Sequence, residues 1–451
     1  MESSGTSLFR EQLAFLRGSQ FWSRRDLEAY QIRELRSLLR HCADHVPYYR
    51  DLFAEMGIRP DSIHNLEDIR AIPLLTKEII KSRYNEFLSS TLLEGEHDYM
   101  TTGGSTGAPL KVMMDKRFHA LDLANTYYYM DVAGFDPERY RSVRLHGNIV
   151  DPSLIRKGIY WVCEDGRRLV LSSYHISRET APLYVDAINE HRPNYLHAFP
   201  SSAALLAFYI DKLHLSLRPS LKCIFTDCEV LYDSQRDLLE RVFACRVFNT
   251  YGHTEGSVLG ITCPRSHKIH LVPQVGITEL LDQDGHPVTT PGEKGEIVVT
   301  GFYNRVLPFI RYRTQDIGVL SREPCPCERE YPLLERVEGR LQDYVVDVSG
   351  NQVPLAPALF DYNFDWSGVD RFQVFQDCPG RLTFRIVPEP GSGAGFGRLA
   401  ARIRTCFGQI LGRGFAIDVV LVDAIARTSR GKYRYLEQRL DMGPVFTGMG
   451  R

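Results

Sequence analysis

At 451 residues the chain is too long for one ordinary core and predicts two or three domains, with the 43% apolar and 24% charged content of a soluble globular protein. A formal net charge of −2 supplies no basic field for nucleic acid or an anionic membrane, and no apolar run reaches the roughly 20 residues that span a bilayer. The N-terminus MESSGTSLFREQ lacks the apolar segment of a secretory signal, so a cytoplasmic location is expected, where clustered members of the ten cysteines suggest metal ligands rather than disulfides.

Residues 26–46 place Leu27, Tyr30, Leu35, Leu38, Leu39, Cys42 and Val46 near one face at helical spacing, and Pro47 breaks and restarts the chain. Residues 1–90 therefore read as a mainly helical segment. From about 97 to 260 short apolar strands such as RLVLSS and SLKCIFTD alternate with helical patterns such as SSAALLAFYIDKL, which predicts an α/β layered domain. Between 272 and 320 the pattern is β, with Asp284-Gly285 as a hairpin turn. The strands RFQVFQD, RLTFRIVPE and FAIDVVLVD surround the helix GRLAARIRTCFGQIL near the C-terminus, a separate small domain, and PEPGSGAGFG within it reads as a loop.

The stretch TTGGSTGAPLKV, residues 101–112, is nearly all backbone amide and hydroxyl up to Ala108, the composition of either a plain turn or an anion cradle. It has neither the Walker spacing nor GxGxxG. Four more stretches follow it in order: NTYGHTEG (249–256), RYRTQDIG (311–318), VEGRLQDYVV (337–346) and ARTSRGKYR (426–434). Together the five resemble the adenylate-forming superfamily, and HVPYYRDLF, LEDIRAIPLLTK and PFIRYRTQDIG resemble its phenylacetate–CoA ligase and CapK-type branch.

The resemblance implies a large multi-layer α/β adenylation domain over residues 1–338, a small mobile α+β lid over 339–451, and an active site in the cleft between them. It implies that Thr102, Gly104, Ser105, Thr106 and Gly107 grip the β- and γ-phosphates of ATP, a loop whose small side chains let amides approach the oxygens. Tyr251 and Gly252 would lie by the nucleotide with Tyr251 near adenine, Thr254 would bond the α-phosphate, and Glu255 would hold Mg2+, a hard cation that prefers oxygen ligands. Asp227, Cys228 and Glu229 match the adenine-contacting loop. Asp316 would take the ribose hydroxyls with help from Arg340, and Lys432 would bridge the substrate carboxylate and the α-phosphate. Three positions depart from the family pattern. Gly103 replaces a hydroxyl residue, Gln315 replaces the usual glycine, and Gln342 replaces the aspartate or lysine at the domain hinge. Leu110 stands where many branches, though not all of this one, carry lysine.

A second constellation is independent of the first. CPRSHKIH supplies Cys263, His267 and His270, and PCPC supplies Cys325 and Cys327, which are ligand types for tetrahedral zinc. The alternative is reduced cysteines without metal. In the phenylacetate–CoA ligase branch a Cys-x6-His and a Cys-x-Cys pair recur, matching Cys263, His270, Cys325 and Cys327 as a structural Zn2+ site with His267 spare.

His146 and Asn148 in RLHGNIVDP, with Phe199 and Ser201 in LHAFPSSAAL, are candidates to line an acid pocket, His146 being either a substrate-orienting group or a satisfied core histidine. NTYYYM, residues 125–130, reads as helix core before pocket lining. The implied reaction is ATP-dependent activation of an aryl or other small carboxylic acid to an acyl-AMP, followed by transfer to coenzyme A. The alternatives are transfer to an amine, a sugar or a carrier protein, and a non-catalytic nucleotide-binding relative. No nucleic-acid partner is implied, and a homodimer is left open.

Overall fold

Helix α1 (Ser4–Ser19) is followed by α2 (Arg24–His45), which Ser23 caps by accepting the Asp26 N–H. The computed structural model describes residues 4–92, 97–101, 110–136, 139–146, 148, 150–218, 221–340, 344–350, 352–360, 364, 366, 368–389, 395–426 and 434–440. Helix α2 buries Leu27, Tyr30, Leu35, Leu38, Leu39 and Cys42, the face that the sequence spacing predicts. Pro47 then opens α3 (Pro47–Met56), at a first-turn position where its missing N–H is not needed. Helix α4 (Lys77–Ser82), the antiparallel pair β1 (His97–Thr101) and β2 (Lys111–Asp115), and α5 (Lys116–Val132) follow. Helix α5 buries Asn125, Tyr128, Tyr129 and Met130, so NTYYYM is indeed largely helix core. Leu110 is buried in the same apolar cluster as Phe118, which accounts for an apolar residue at that position.

The next segment alternates strand and helix: β3 (Ser142–Leu145), α6 (Pro152–Ile155), β4 (Trp161–Glu164), β5 (Arg168–Leu171), α7 (Ala181–His191), β6 (Tyr195–Ala198), α8 (Pro200–Lys212), β7 (Cys223–Thr226) and α9 (Asp233–Phe243). The strand order is β7-β6-β3-β5-β4, parallel except for the antiparallel β4. Every residue of β7 is buried, as expected of a parallel strand covered on both faces.

Seven strands follow: β8 (Arg246–Gly252), β9 (Leu259–Cys263), β10 (Ser266–Leu271), β11 (Gly276–Leu281), β12 (Lys294–Gly301), β13 (Tyr312–Leu320) and β14 (Leu333–Arg340). They lie in the order β11-β12-β13-β14-β10-β9-β8. Between β11 and β12 Gly285 takes φ +81°, so the Asp284-Gly285 turn forms where the dipeptide predicts it. The C-terminal segment holds β15 (Tyr344–Val346), β16 (Gln352–Pro354), α10 (Leu355–Phe360), β17 (Val369–Cys378), β18 (Arg381–Pro388), α11 (Phe396–Leu411), β19 (Ala416–Leu421) and β20 (Leu436–Gln438). Its main sheet runs β19-β18-β17-β20, and α11 lays Leu399, Ile403 and Phe407 into the same core as Phe384 and Ile386 of β18. Residues 390–394 of the loop PEPGSGAGFG lie outside the described residues, while Pro388 closes β18 and Phe396 opens α11.

The fold is α/β. Residues 1–138 and 248–338 make one compact unit, and residues 139–247 and 339–451 make a second. Among the described residues the first has a large core around Leu35, Phe87, Ile297 and Phe309. The second has a core under β3 and β5–β7 and another in the C-terminal segment.

Candidate active site

In the first unit, β8 carries Tyr251 and runs into the turn that holds Glu255, while β13 carries Asp316. The Tyr251 hydroxyl donates to Asp316 Oδ2 at 2.8 Å, and the Asp316 N–H donates to Thr314 Oγ1 at 3.0 Å. Glu255 is only 7% exposed. Its Oε1 accepts the Tyr312 hydroxyl at 3.1 Å, and His253 Nδ1 lies 3.0 Å from Oε2. Burial raises the pKa of this carboxyl, but the His253 charge and the hydrogen bonds outweigh it, and the value settles at about 2. Glu255 is therefore ionised at any physiological pH. Gly256 turns the chain at φ +64°, and a Cβ there would fall 2.2 Å from Phe118 Cζ, so only glycine fits. Gly252 is exposed and Thr254 half-buried in the same turn.

The sequence candidates Tyr251, Thr254, Glu255 and Asp316 thus fall in one unit, and two carboxylates are pinned by tyrosine hydroxyls from neighbouring elements. His253 and Tyr312 were not singled out from sequence, although both stand inside the quoted motifs. Arg340 closes β14, and its side chain lies outside the described residues. Thr102, Gly104, Ser105, Thr106, Gly107 and Lys432 lie outside them too, as do Gly103 and Gln342.

In the second unit, His146, Phe199 and Asp227 each follow the last residue of a parallel strand, β3, β6 and β7. Asp227 meets two imidazoles: His146 Nε2 lies 3.0 Å from Oδ1 and His197 Nε2 lies 2.8 Å from Oδ2. Burial pushes the Asp227 carboxyl up, but the two histidines prevail and hold it well below the usual carboxylate range. His146 is lowered by burial, partly offset by Asp227, and is neutral near pH 7. The Phe199 ring packs edge-on at 4.6 Å from the His146 ring. Ser201, in the first turn of α8, donates its N–H to Glu229 Oε2 at 2.9 Å, Cys228 takes φ +63°, and the Asn148 N–H donates to the His146 carbonyl. Of the three residues matched to an adenine-contacting loop, Asp227 and Glu229 thus have specific partners in this layer. His197 was missed from sequence, because one histidine in LHAF looks like any strand residue until the register sets it beside Asp227.

The third cluster lies in the first unit. Cys263 ends β9, His270 lies in β10, and Cys325 and Cys327 lie in the segment between β13 and β14. Their ligand atoms all fall within 4.8 Å of one another, with Cys263 Sγ 3.5 Å from Cys325 Sγ and Cys327 Sγ 3.5 Å from His270 Nε2. His267 is exposed and stands outside the cluster. Three thiols and one imidazole converging at this spacing fit a tetrahedral zinc ion, whose ligands are thiolate sulfur and imidazole nitrogen. No disulfide links any of the ten cysteines.

Residues 99–304 match the AMP-binding enzyme family. Over those residues the chain is similar to adenylate-forming enzymes. Protein CapK of Staphylococcus aureus is 24% identical over 327 residues, covering 71% of this chain and 69% of that protein. Phenylacetate-coenzyme A ligase of Thermus thermophilus is 25% identical over 335 residues, covering 73% and 74%. The chain is thus similar to the phenylacetate–CoA ligase and CapK branch of the adenylate-forming ligases. The solved structure of 2-hydroxyisobutyryl-CoA ligase in complex with 2-HIB-AMP shares the fold at a TM-score of 0.71 with 18% identity, covering 92% of this chain and 90% of that one. Among the described residues no helix is long and apolar enough to cross a membrane.

Proposed function

We propose that the chain activates a small organic acid, with aryl acids as the leading class, by attack of its carboxylate on the α-phosphorus of ATP. Pyrophosphate leaves, and the acyl group passes from the acyl-AMP to the thiol of coenzyme A, releasing AMP. Two anions must be brought together for the first step, so charge neutralisation and alignment carry the catalysis. The observation that carries this reading is Glu255, a buried carboxylate held ionised near pKa 2 in the same unit as the Tyr251–Asp316 pair. In this reading Glu255 holds Mg2+, which when bound neutralises phosphate charge. Asp316 accepts the ribose hydroxyls, oriented by Tyr251 and assisted by Arg340. Thr102, Gly104, Ser105, Thr106 and Gly107 grip the departing pyrophosphate, Thr254 bonds the α-phosphate, and Lys432 bridges the attacking carboxylate and that phosphate. His146, Asn148, Phe199 and Ser201 line the acid pocket. Residues 1–338 serve as adenylation domain and 339–451 as lid. Cys263, His270, Cys325 and Cys327 hold a structural zinc with no vacant position for chemistry, and the unlinked thiols suit a reducing cytoplasm.

ATP–pyrophosphate exchange over a panel of aryl, fatty and amino acids, with hydroxylamine to trap acyl-AMP, tests the reading. Lys432→Ala is expected to lose at least about a thousandfold in exchange rate while still binding ATP, as for removal of a group that acts in the transition state. Exchange by that variant at the wild-type rate would refute the assignment. Adding coenzyme A, amines, sugars or a carrier protein in turn then identifies the acceptor.

A further inference from the structure

Three parallel strands of the second unit end side by side. Leu145 of β3 pairs with Ala198 of β6, and Ala198 pairs with Thr226 of β7. The residues immediately beyond, His146, Phe199 and Asp227, therefore form one row at the carboxyl edge of the sheet, the edge at which open α/β sheets bind their ligands. The charge on Asp227 decides the chemistry of that row. An ionised carboxylate can only accept, so the Nε2 atoms of His146 and His197 carry protons and donate to its two oxygens. A neutral His146 with its proton at Nε2 presents Nδ1 as a bare lone pair.

That lone pair is buried. His146 is 7% exposed, and its Nδ1 has no hydrogen-bond partner among the described residues. Ser201 Oγ, one residue past the Phe199–Pro200 corner that opens α8, is buried and unpartnered in the same way. Native interiors seldom leave such atoms unmatched, because an unpaired buried acceptor forfeits its hydration without return. The edge of Phe199 against the His146 ring adds an apolar wall beside the acceptor.

We propose that His146 Nδ1 accepts a hydrogen bond from a hydroxyl or amino group carried by the substrate acid, and that Asp227 is the positioning residue that fixes the imidazole in the accepting tautomer. The inference rests on the reading that this chain adenylates an acid, and it narrows that acid to one bearing a hydrogen-bond donor besides its carboxyl group. A divalent metal among the same three side chains fits less well. The three ligand atoms lie within 4.8 Å of one another, but each imidazole already sits at ordinary hydrogen-bond length from its own oxygen of Asp227.

The test uses the full chain in pyrophosphate exchange with matched acids: hydroxy- or amino-substituted benzoic, phenylacetic and short aliphatic acids against their unsubstituted and methoxy analogues. The best donor-bearing acid is expected to exceed its parent and its methoxy analogue about 10- to 100-fold in kcat/KM, the loss typical when a buried polar group is left unmatched. His146→Leu should bring the ratio between the paired acids close to one, with the change mainly in KM. Asp227→Asn keeps the shape of the side chain, so it serves if His146→Leu fails to fold. Its amide can donate to His146 Nε2, which moves the ring proton to Nδ1 and turns the acceptor into a donor. The methoxy acid should then gain on the hydroxy acid about tenfold or more, a shift of preference that mere loss of packing would not produce.

Strong exchange with no preference between paired acids would overturn the inference and leave the ligase reading standing. A metal ion beyond that of the cysteine cluster, retained by the wild type and lost from Asp227→Asn, would also overturn it and assign the cluster to metal. Absence of exchange with every acid would remove the ligase reading and the inference with it.

Discussion

Gln315 takes φ +64°, a left-handed conformation that costs an L side chain about 1 kcal/mol or more. It is the position at which the sequence departs from the glycine usual in RTQD-like motifs, and the backbone supplies the reason that glycine is usual there. The Gln315 side chain is exposed, while its N–H donates to Glu296 Oε1 at 3.2 Å, a bond that any residue can make. Gln315→Gly should therefore raise the unfolding free energy by about 0.5–1 kcal/mol in urea, less the extra entropy of glycine in the unfolded chain. Gln315→Ala should give no gain, and an equal gain from both would show that the side chain, not the dihedral, was at fault. Glu255 makes a pH prediction. Its folded pKa of about 2 lies below the ordinary 4.5, so it contributes stability that is complete above about pH 4.5 and lost as pH falls toward 2. The contribution is at most roughly 3 kcal/mol. Between pH 5 and pH 2.5 the wild type should lose more stability than Glu255→Gln by about 2 kcal/mol, measured by denaturant unfolding at each pH. Parallel losses in the two proteins would mean that Glu255 is not the titrating group.

The β9–β10 hairpin and the segment between β13 and β14 bring Cys263, His270, Cys325 and Cys327 together, and Tyr331 of that segment packs edge-on against the His270 ring. A metal bound there would fasten three stretches of the first unit beyond the backbone pairing of β9, β10 and β14. Protein prepared without added metal should contain one zinc per chain by elemental analysis. Removing it with a chelator should lower the melting temperature by at least about 5 °C, and Cys325→Ser should already show that lower value. Protein that contains no zinc, or whose melting is indifferent to chelation, would count against the site. This cluster was legible in the sequence because soft ligands are scarce and their spacing is distinctive, even with Cys263 and Cys325 62 residues apart. Helix α2 was legible for a different reason, since its apolar period and the break at Pro47 are both local. The His146–Asp227–His197 row was not legible. No spacing links those three residues, and only the register of three strands brings them together.

At the scale of the whole chain, the order of elements was readable from alternating strand and helix patterns, but the grouping of segments into compact units depends on contacts remote in sequence. In the second unit the C-terminal segment has its own core, and polar pairs join it to the 139–247 layer. The hydroxyl of Tyr209, a buried residue of α8, donates to the carboxylate of Asp370 at the start of β17. Tyr232 and Tyr435 join their hydroxyls, and Lys212 pairs with Glu389. Polar joints of this kind are typical of segments that part and re-dock, whereas apolar ones hold permanently. The resemblance to adenylate-forming enzymes implies that residues 339–451 reorient between adenylation and acyl transfer. A contact that favours one arrangement then sets the balance between the two half-reactions. Asp370→Ala leaves the Tyr209 hydroxyl without its acceptor, a loss of about 1–3 kcal/mol to the arrangement that contains the pair. The ratio of hydroxylamine-trapped acyl-AMP formation to thioester formation should therefore change by about fivefold or more, with one rate affected far more than the other. If both rates fall together, or if neither changes while the melting temperature drops, the Tyr209–Asp370 pair is a structural contact alone and does not set the position of the C-terminal segment.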